Sequence, residues 1–125
     1  MNKKEELNNR IMEFNYRVFN LVNCLPSTKL ADTITIQMIR SSTSIGANYR
    51  AACRSKSRKD FINKLKIVEE ERDETLYWLE LIGGSKLIKN EKIVNLKKEC
   101  SELLAIFVSS LKTAKVNETV PNRKS

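Results

Sequence analysis

The fold turns on the stretch Arg40–Phe61, RSSTSIGANYRAACRSKSRKDF. Its first half is built of small and polar residues, and its second half is basic. Ser41, Ile45, Asn48 and Ala52 recur at spacings of three and four and continue Ala31, Ile34 and Met38 upstream. That period predicts one helix from Lys29 to about Arg54, about 26 residues and about 39 Å long. The run Ser41-Ser42-Thr43-Ser44 and then Gly46 is poor in helix formers, and Gly46 alone costs about 1 kcal/mol against Ala. Packing must hold this segment helical, and its small side chains allow a neighbouring helix to come close. From Arg40 to Lys66 there are eight basic residues (Arg40, Arg50, Arg54, Lys56, Arg58, Lys59, Lys64, Lys66) against one acid, Asp60. The stretch therefore carries +7 of the chain's formal +8.

Outward from that stretch the same period repeats. Ser57 followed by Asp60 is a helix-start signature, and Phe61, Leu65, Val68, Arg72, Thr75, Leu79 and Ile82 form the next seam, with Gly83-Gly84 expected to stop it. Upstream, Leu7, Ile11, Phe14, Val18, Leu21 and Leu25 define a helix ended by Pro26, and Ser27 or Thr28 can cap its successor. Downstream, Asn90 can cap a last helix with the seam Ile93, Leu96, Cys100, Leu103, Phe107, Leu111 and Ala114. The expected fold class is all-α: an antiparallel up-down-up-down four-helix bundle over residues 1–115, with 116–125 a disordered C-terminal tail. Ile36, Ile39, Cys53, Trp78 and Leu81 lie off the seams and predict a second packing surface, hence a homo-oligomer.

Composition narrows the function. The 125 residues include three Gly and two Pro, too few for the turns of an all-β chain. Cys24, Cys53 and Cys100 are odd in number, widely spaced and without a C-x-x-C pair, so they read as free thiols of a reducing compartment. No run approaches a membrane span, and the charged opening MNKKEELNNR is unlike a secretory signal. A cytoplasmic protein without membrane partners is expected. Its excess positive charge fits acidic partners.

The ordered motifs Gln37-x-x-Arg40-Ser-Ser-x-Ser-Ile-x-x-Asn48, Ser57-Arg-x-Asp-Phe61 and Asp73-Glu-Thr-x-Tyr-Trp-Leu-Glu-Leu81 carry a resemblance. The chain resembles the bacterial four-helix-bundle family whose founding members are encoded in intervening sequences of 23S rRNA genes, over about Leu7 to Phe107. The resemblance implies a left-handed antiparallel bundle assembled as a ring-shaped homopentamer. It implies no ribosome membership, since that older label reflects gene location. A distant branch is similar to the accessory proteins of diversity-generating retroelements, basic pentameric bundles that bind nucleic acid and a reverse transcriptase. Many members carry an acid and a Gly soon after the Asn. Here Tyr49-Arg50-Ala51-Ala52-Cys53 stands instead, which makes this chain locally more basic. The family supplies no catalytic residues to transfer.

Arg50, Arg54, Lys56, Arg58 and Lys59 are the candidate nucleic-acid-binding residues, gathered at one bundle end where cations meet phosphates and release counterions. The same cluster is also readable as a solvated helix end that complements the helix dipole, or as a site for an acidic protein. Tyr49 reads as packing rather than a base platform, since a stacking surface uses several aromatics. Ser41, Ser44, Asn48, Arg72 and Trp78 read as residues that set register or the oligomer interface, with Arg72 expected to pair with Glu69 and a facing carboxylate. The chain has no histidine, which removes both the Glu-x-x-His carboxylate-metal arrangement and an Arg-with-His ribonuclease site. No base is evident for a serine nucleophile. The expectation is a non-catalytic homopentamer, without metal or cofactor, that binds RNA or single-stranded DNA through the phosphate backbone. The alternative is a protein-interaction scaffold or accessory subunit, for example of a reverse transcriptase or another element-encoded protein.

Overall fold

Side-chain caps start the first three helices. In the computed structural model, which describes residues 2–119, the helices are α1 (Lys3–Asn23), α2 (Lys29–Cys53), α3 (Arg58–Ser85) and α4 (Asn90–Thr119). Asn2 Oδ1 accepts from Glu5 N at 2.8 Å, Thr28 Oγ1 from Ala31 N at 3.1 Å, and Ser57 Oγ from Asp60 N at 3.1 Å. Each such bond satisfies a backbone donor that the helix leaves open, worth about 1 kcal/mol. Asp32 and Asp60 place acids in the first turns of α2 and α3, where the helix dipole favours them.

The helices meet as neighbours in a closed cycle. α1 packs on α2 and α4, and α3 packs on α2 and α4, while across the α2–α4 diagonal the rings of Tyr49 and Phe107 meet in the core. The start of α1 meets the end of α2, where Asn8 Nδ2 lies 3.8 Å from Cys53 Sγ. The loop after α1 meets the start of α4, where Lys92 Nζ donates to Cys24 Sγ at 3.2 Å. One apolar core fills the centre, with Phe14, Met38, Leu65, Leu79, Leu103 and Phe107 fully buried. Truncating either phenylalanine to Ala would cost about 3–5 kcal/mol by the cavity left behind.

The predicted seam of α4 is buried at every position. Elsewhere the strict three-four spacing drifts against 3.6 residues per turn. In α2 the buried residue after Ile45 is Tyr49, not Asn48, and in α3 Ile62 is buried while Phe61 is half-buried. Tyr49 packs its ring 5.8 Å from that of Phe107. The stop at Gly83-Gly84 is not taken either. α3 runs on to Ser85, and the left-handed residue at its end is Lys86, with φ of 60°. Gly83 instead serves close approach, because a Cβ there would sit 3.2 Å from Ile93 Cγ2 of α4. Burial of Ile82 and this contact outweigh the roughly 1 kcal/mol that a helical glycine costs. Gly46 plays the same part between α2 and α1, since its Cβ would lie 3.3 Å from both Ile11 Cγ2 and Asn15 Nδ2. α4 begins at Asn90 and continues to Thr119, beyond the expected boundary at residue 115, and the cap expected of the Asn90 side chain lies outside the described residues. The remainder of the expected tail, 120–125, lies outside the described residues.

Candidate nucleic-acid interface

The basic stretch is divided by the fold into a part paired along the side and an exposed part at the end. Arg40 is paired: its Nη1 lies 3.2 Å from Glu71 Oε2 across the α2–α3 contact, and it also bridges to Glu74. Its charge therefore belongs to the side of the bundle, where Arg10 makes an equivalent link from α1 to α4. Arg10 donates to both carboxylate oxygens of Glu99, at 2.7 and 2.9 Å, and to Glu102 at 3.3 Å. The Arg10 hydrogen bond holds the Glu99 carboxyl below its ordinary value, against the opposing effect of burial. The same bond raises the Arg10 guanidinium.

The exposed part lies at the end of the bundle where α2 hands over to α3. Arg50, Arg54, Lys56, Arg58 and Lys59 all reach solvent there. The fold does not gather all five into one surface. Lys56 and Arg58 line a groove of about 630 Å³ together with Lys4 of α1, Phe61 of α3, and Ser110 and Thr113 of α4. Arg50 lines a separate groove of about 260 Å³ between α1 and α2, beside Met12, Tyr16 and Phe19. Arg54 and Lys59 line neither groove. Lys4 and the α4 residues are absent from the sequence-based set because they lie far away in sequence. The signal that could have found them is topological, since the first turn of α1 and the last turns of α4 must share an end with the α2–α3 turn. By that reasoning Lys3, Lys112 and Lys115 add charge to the same end.

Of the residues read as setting register or interface, two are in the core. Ser41 Oγ and Thr75 Oγ1 lie 2.9 Å apart, joining α2 to α3 with both residues buried. Arg72 is 4 % exposed and pairs with Asp73 Oδ1 at 2.7 Å, one residue along its own helix. The expected pairing with Glu69 and a facing carboxylate is thus not the one formed. Arg72 Nε has no hydrogen-bond partner among the described residues. Beneath it, Cys100 Sγ lies 3.8 Å from the Arg72 carbonyl, and burial pushes this thiol up to about 11 although Arg72 acts in the opposite direction. Ser44 and Asn48 are half-buried and bond to each other within α2, with Asn48 Nδ2 2.9 Å from both the carbonyl and the hydroxyl oxygen of Ser44. Trp78 is half-buried, edge-on to Tyr77 at 5.0 Å, and its buried Nε1 lacks a partner among the described residues. Ile36, Tyr77 and Leu81 are exposed apolar side chains of α2 and α3.

Among the described residues no cluster of His, Cys, Asp or Glu could hold a metal ion, and no helix is long and apolar enough to cross a membrane. All three cysteines are free thiols: Cys24 exposed, Cys53 half-buried and Cys100 buried.

These features define a small all-α protein built as a four-helix bundle, with ion pairs between helices along its sides and a concentration of exposed cations at one end. The chain belongs to the 23S rRNA-intervening sequence protein family, whose model matches residues 3–109. It is similar to a crystallised protein of unknown function from the S23 ribosomal protein family of Bacteroides thetaiotaomicron. That likeness has 37% sequence identity and a TM-score of 0.79, and it covers 85% of this chain and 98% of the other. No curated protein matches the sequence.

Proposed function

We propose that this protein is a non-catalytic, homopentameric bundle that binds RNA or single-stranded DNA by its phosphate backbone. The observation that carries the reading is the segregation of charge. Arg10 and Arg40 are matched by carboxylates along the sides, whereas Lys4 and Lys56 converge from two separate parts of the chain on one groove that Arg58 also lines. Such a groove attracts a polyanion by counterion release and carries little sequence preference.

Within this reading the helices run up-down-up-down. The Asn8–Cys53, Cys24–Lys92 and Ser41–Thr75 pairs support that order, since each is a cross-link that antiparallel neighbours would make. Self-assembly is supported by exposed Ile36, Tyr77 and Leu81 and by the unpartnered indole nitrogen of Trp78. The number five follows family resemblance. Three free thiols fit a reducing cytoplasm. Those exposed apolar side chains also favour a second reading, a scaffold that docks an element-encoded protein such as a reverse transcriptase.

A charge-reversal experiment separates the two readings. Arg54→Glu, Lys56→Glu and Arg58→Glu together should weaken binding to a labelled oligouridine by at least about tenfold, with the helical spectrum unchanged. Unchanged affinity would remove the phosphate-binding reading. Retention of an acidic protein partner after nuclease treatment would support the scaffold.

A further inference from the structure

The groove at the basic end does not stop at Phe61. A second groove of about 500 Å³ adjoins it, and the two share Lys4, Phe61 and Ser110. Together they form one trough between the start of α1, the start of α3 and the last turns of α4. Phe61 is half-buried and stands in the wall of both halves. Its position is a consequence of the seam drift noted above: Ile62 takes the core site, and Phe61 is turned to the rim. Tyr49, the other aromatic of the basic stretch, is buried against Phe107 and lines only the second groove. Cations line both grooves beside the ring, with Lys56 and Arg58 in the first, Lys3 and the Glu99-paired Arg10 in the second and Lys4 in both, against one acid, Glu6, in the second.

An aromatic ring flanked by cations in a trough of this size matches a nucleotide rather than a bare phosphate chain. Stacking on an aromatic face is available to any base, whereas the bases of a duplex are covered by their neighbours and must be flipped out to reach one. We propose that the trough takes an unstacked nucleotide of a single strand, with its base against Phe61 and its adjoining phosphates against Lys4, Lys56 and Arg58. This deepens the phosphate-binding reading and rests on it. The basic end then discriminates single strands from duplexes, which charge alone does not do. The trough also explains why an apolar ring is left at the most highly charged end of the molecule.

The test uses the full chain with oligouridine, the duplex that oligouridine forms with oligoadenine, and inorganic polyphosphate, which has charge but no bases. Single-strand affinity should exceed duplex affinity, and Phe61→Leu, which keeps an apolar side chain against the core, should lose about tenfold on the single strand alone. Polyphosphate binding should be unchanged in that variant, and Phe61→Tyr should restore the single-strand value. As a readout that does not depend on the Leu variant folding well, the emission added by Phe61→Trp should be quenched by oligouridine and not by polyphosphate. If Phe61→Leu folds and binds oligouridine like the unaltered chain, or if the emission added by Phe61→Trp does not respond, the nucleotide pocket is refuted. If Lys56→Glu with Arg58→Glu still weakens every ligand in that case, phosphate binding survives without the pocket. If that double variant weakens none of them, the underlying reading fails as well.

Discussion

Arg40 and Lys56 belong to one basic stretch of sequence, yet the fold gives them opposite surroundings. Arg40 lies along the side of the bundle against Glu71 and Glu74, part of a belt that also holds Arg10 with Glu99 and Glu102. Lys56 lies at the end of the bundle, where Lys4 and Arg58 line the same groove. The belt ties neighbouring helices together, so its charges are internally balanced and contribute to stability. The end carries a net excess that a polyanion or counterions balance. Local charge counted along the chain does not distinguish the two, because the compensating acids come from other helices.

This contrast can be broken from either side. Among the charged residues the largest stability effect is expected at the buried Arg72. Truncation to Ala should cost about 3 kcal/mol from the cavity left by a buried side chain. Arg72→Met should stay within about 1 kcal/mol of the unaltered chain, since a buried charge replaced by a similar apolar volume is often neutral. Denaturant titration of both variants checks the pair of values, and equal losses would mean that the guanidinium itself stabilises the bundle. At the basic end, Lys56→Glu with Arg58→Glu should weaken oligouridine binding by about 100-fold, or about 2.7 kcal/mol, without lowering the melting temperature. Arg40→Glu should do the reverse, leaving affinity within about twofold and lowering stability by about 1 kcal/mol through repulsion from Glu71 and Glu74. A large affinity loss at Arg40 would erase the distinction between the two regions.

A smaller effect follows the pH. The Glu99 carboxyl is depressed chiefly by the Arg10 hydrogen bond. Its contribution is therefore complete above the ordinary value of 4.5 and is lost as pH falls through the lower value of the folded state. Exposure of Arg10 limits this contribution to about 0.5–1 kcal/mol. Glu99→Gln should melt below the unaltered chain near neutrality, and the gap should close in acid. A gap that is constant with pH would mean that the pair is not responsible. Smallest of all, Gly84→Ala should stabilise α3 by about 0.5–1 kcal/mol, because a Cβ there meets nothing and the backbone is not left-handed. The same change at Gly83 should gain less or lose, given Ile93 at 3.2 Å.

Much of the fold was legible in the sequence. The four seams and the caps at Thr28 and Ser57 follow from local pattern, and the α4 seam needs no correction. The misplacements share one cause, which is that local rules omit the neighbouring helix. Gly83-Gly84 resembles a stop until Ile93 is brought against it, and Asn48 falls on the ideal seam until Tyr49 meets Phe107. The candidate site was legible only in part for the same reason. Lys56 and Arg58 could be chosen from the run of charge, whereas Lys4, Ser110 and Thr113 join them only once the ends of four helices are known to coincide. Arg50 could not be separated from Arg58 without knowing which face of α2 packs on α1.

The most direct test of the proposed polyanion site is affinity for oligouridine measured across salt concentration, from about 50 to about 200 mM. Three or more cation–phosphate contacts predict a steep linear fall of log affinity with log salt, at a slope of about −2 or steeper for a single strand. The slope should flatten by about 0.7 for each cation removed from the end and stay unchanged for Arg40. A flat salt response in the unaltered chain would contradict the account.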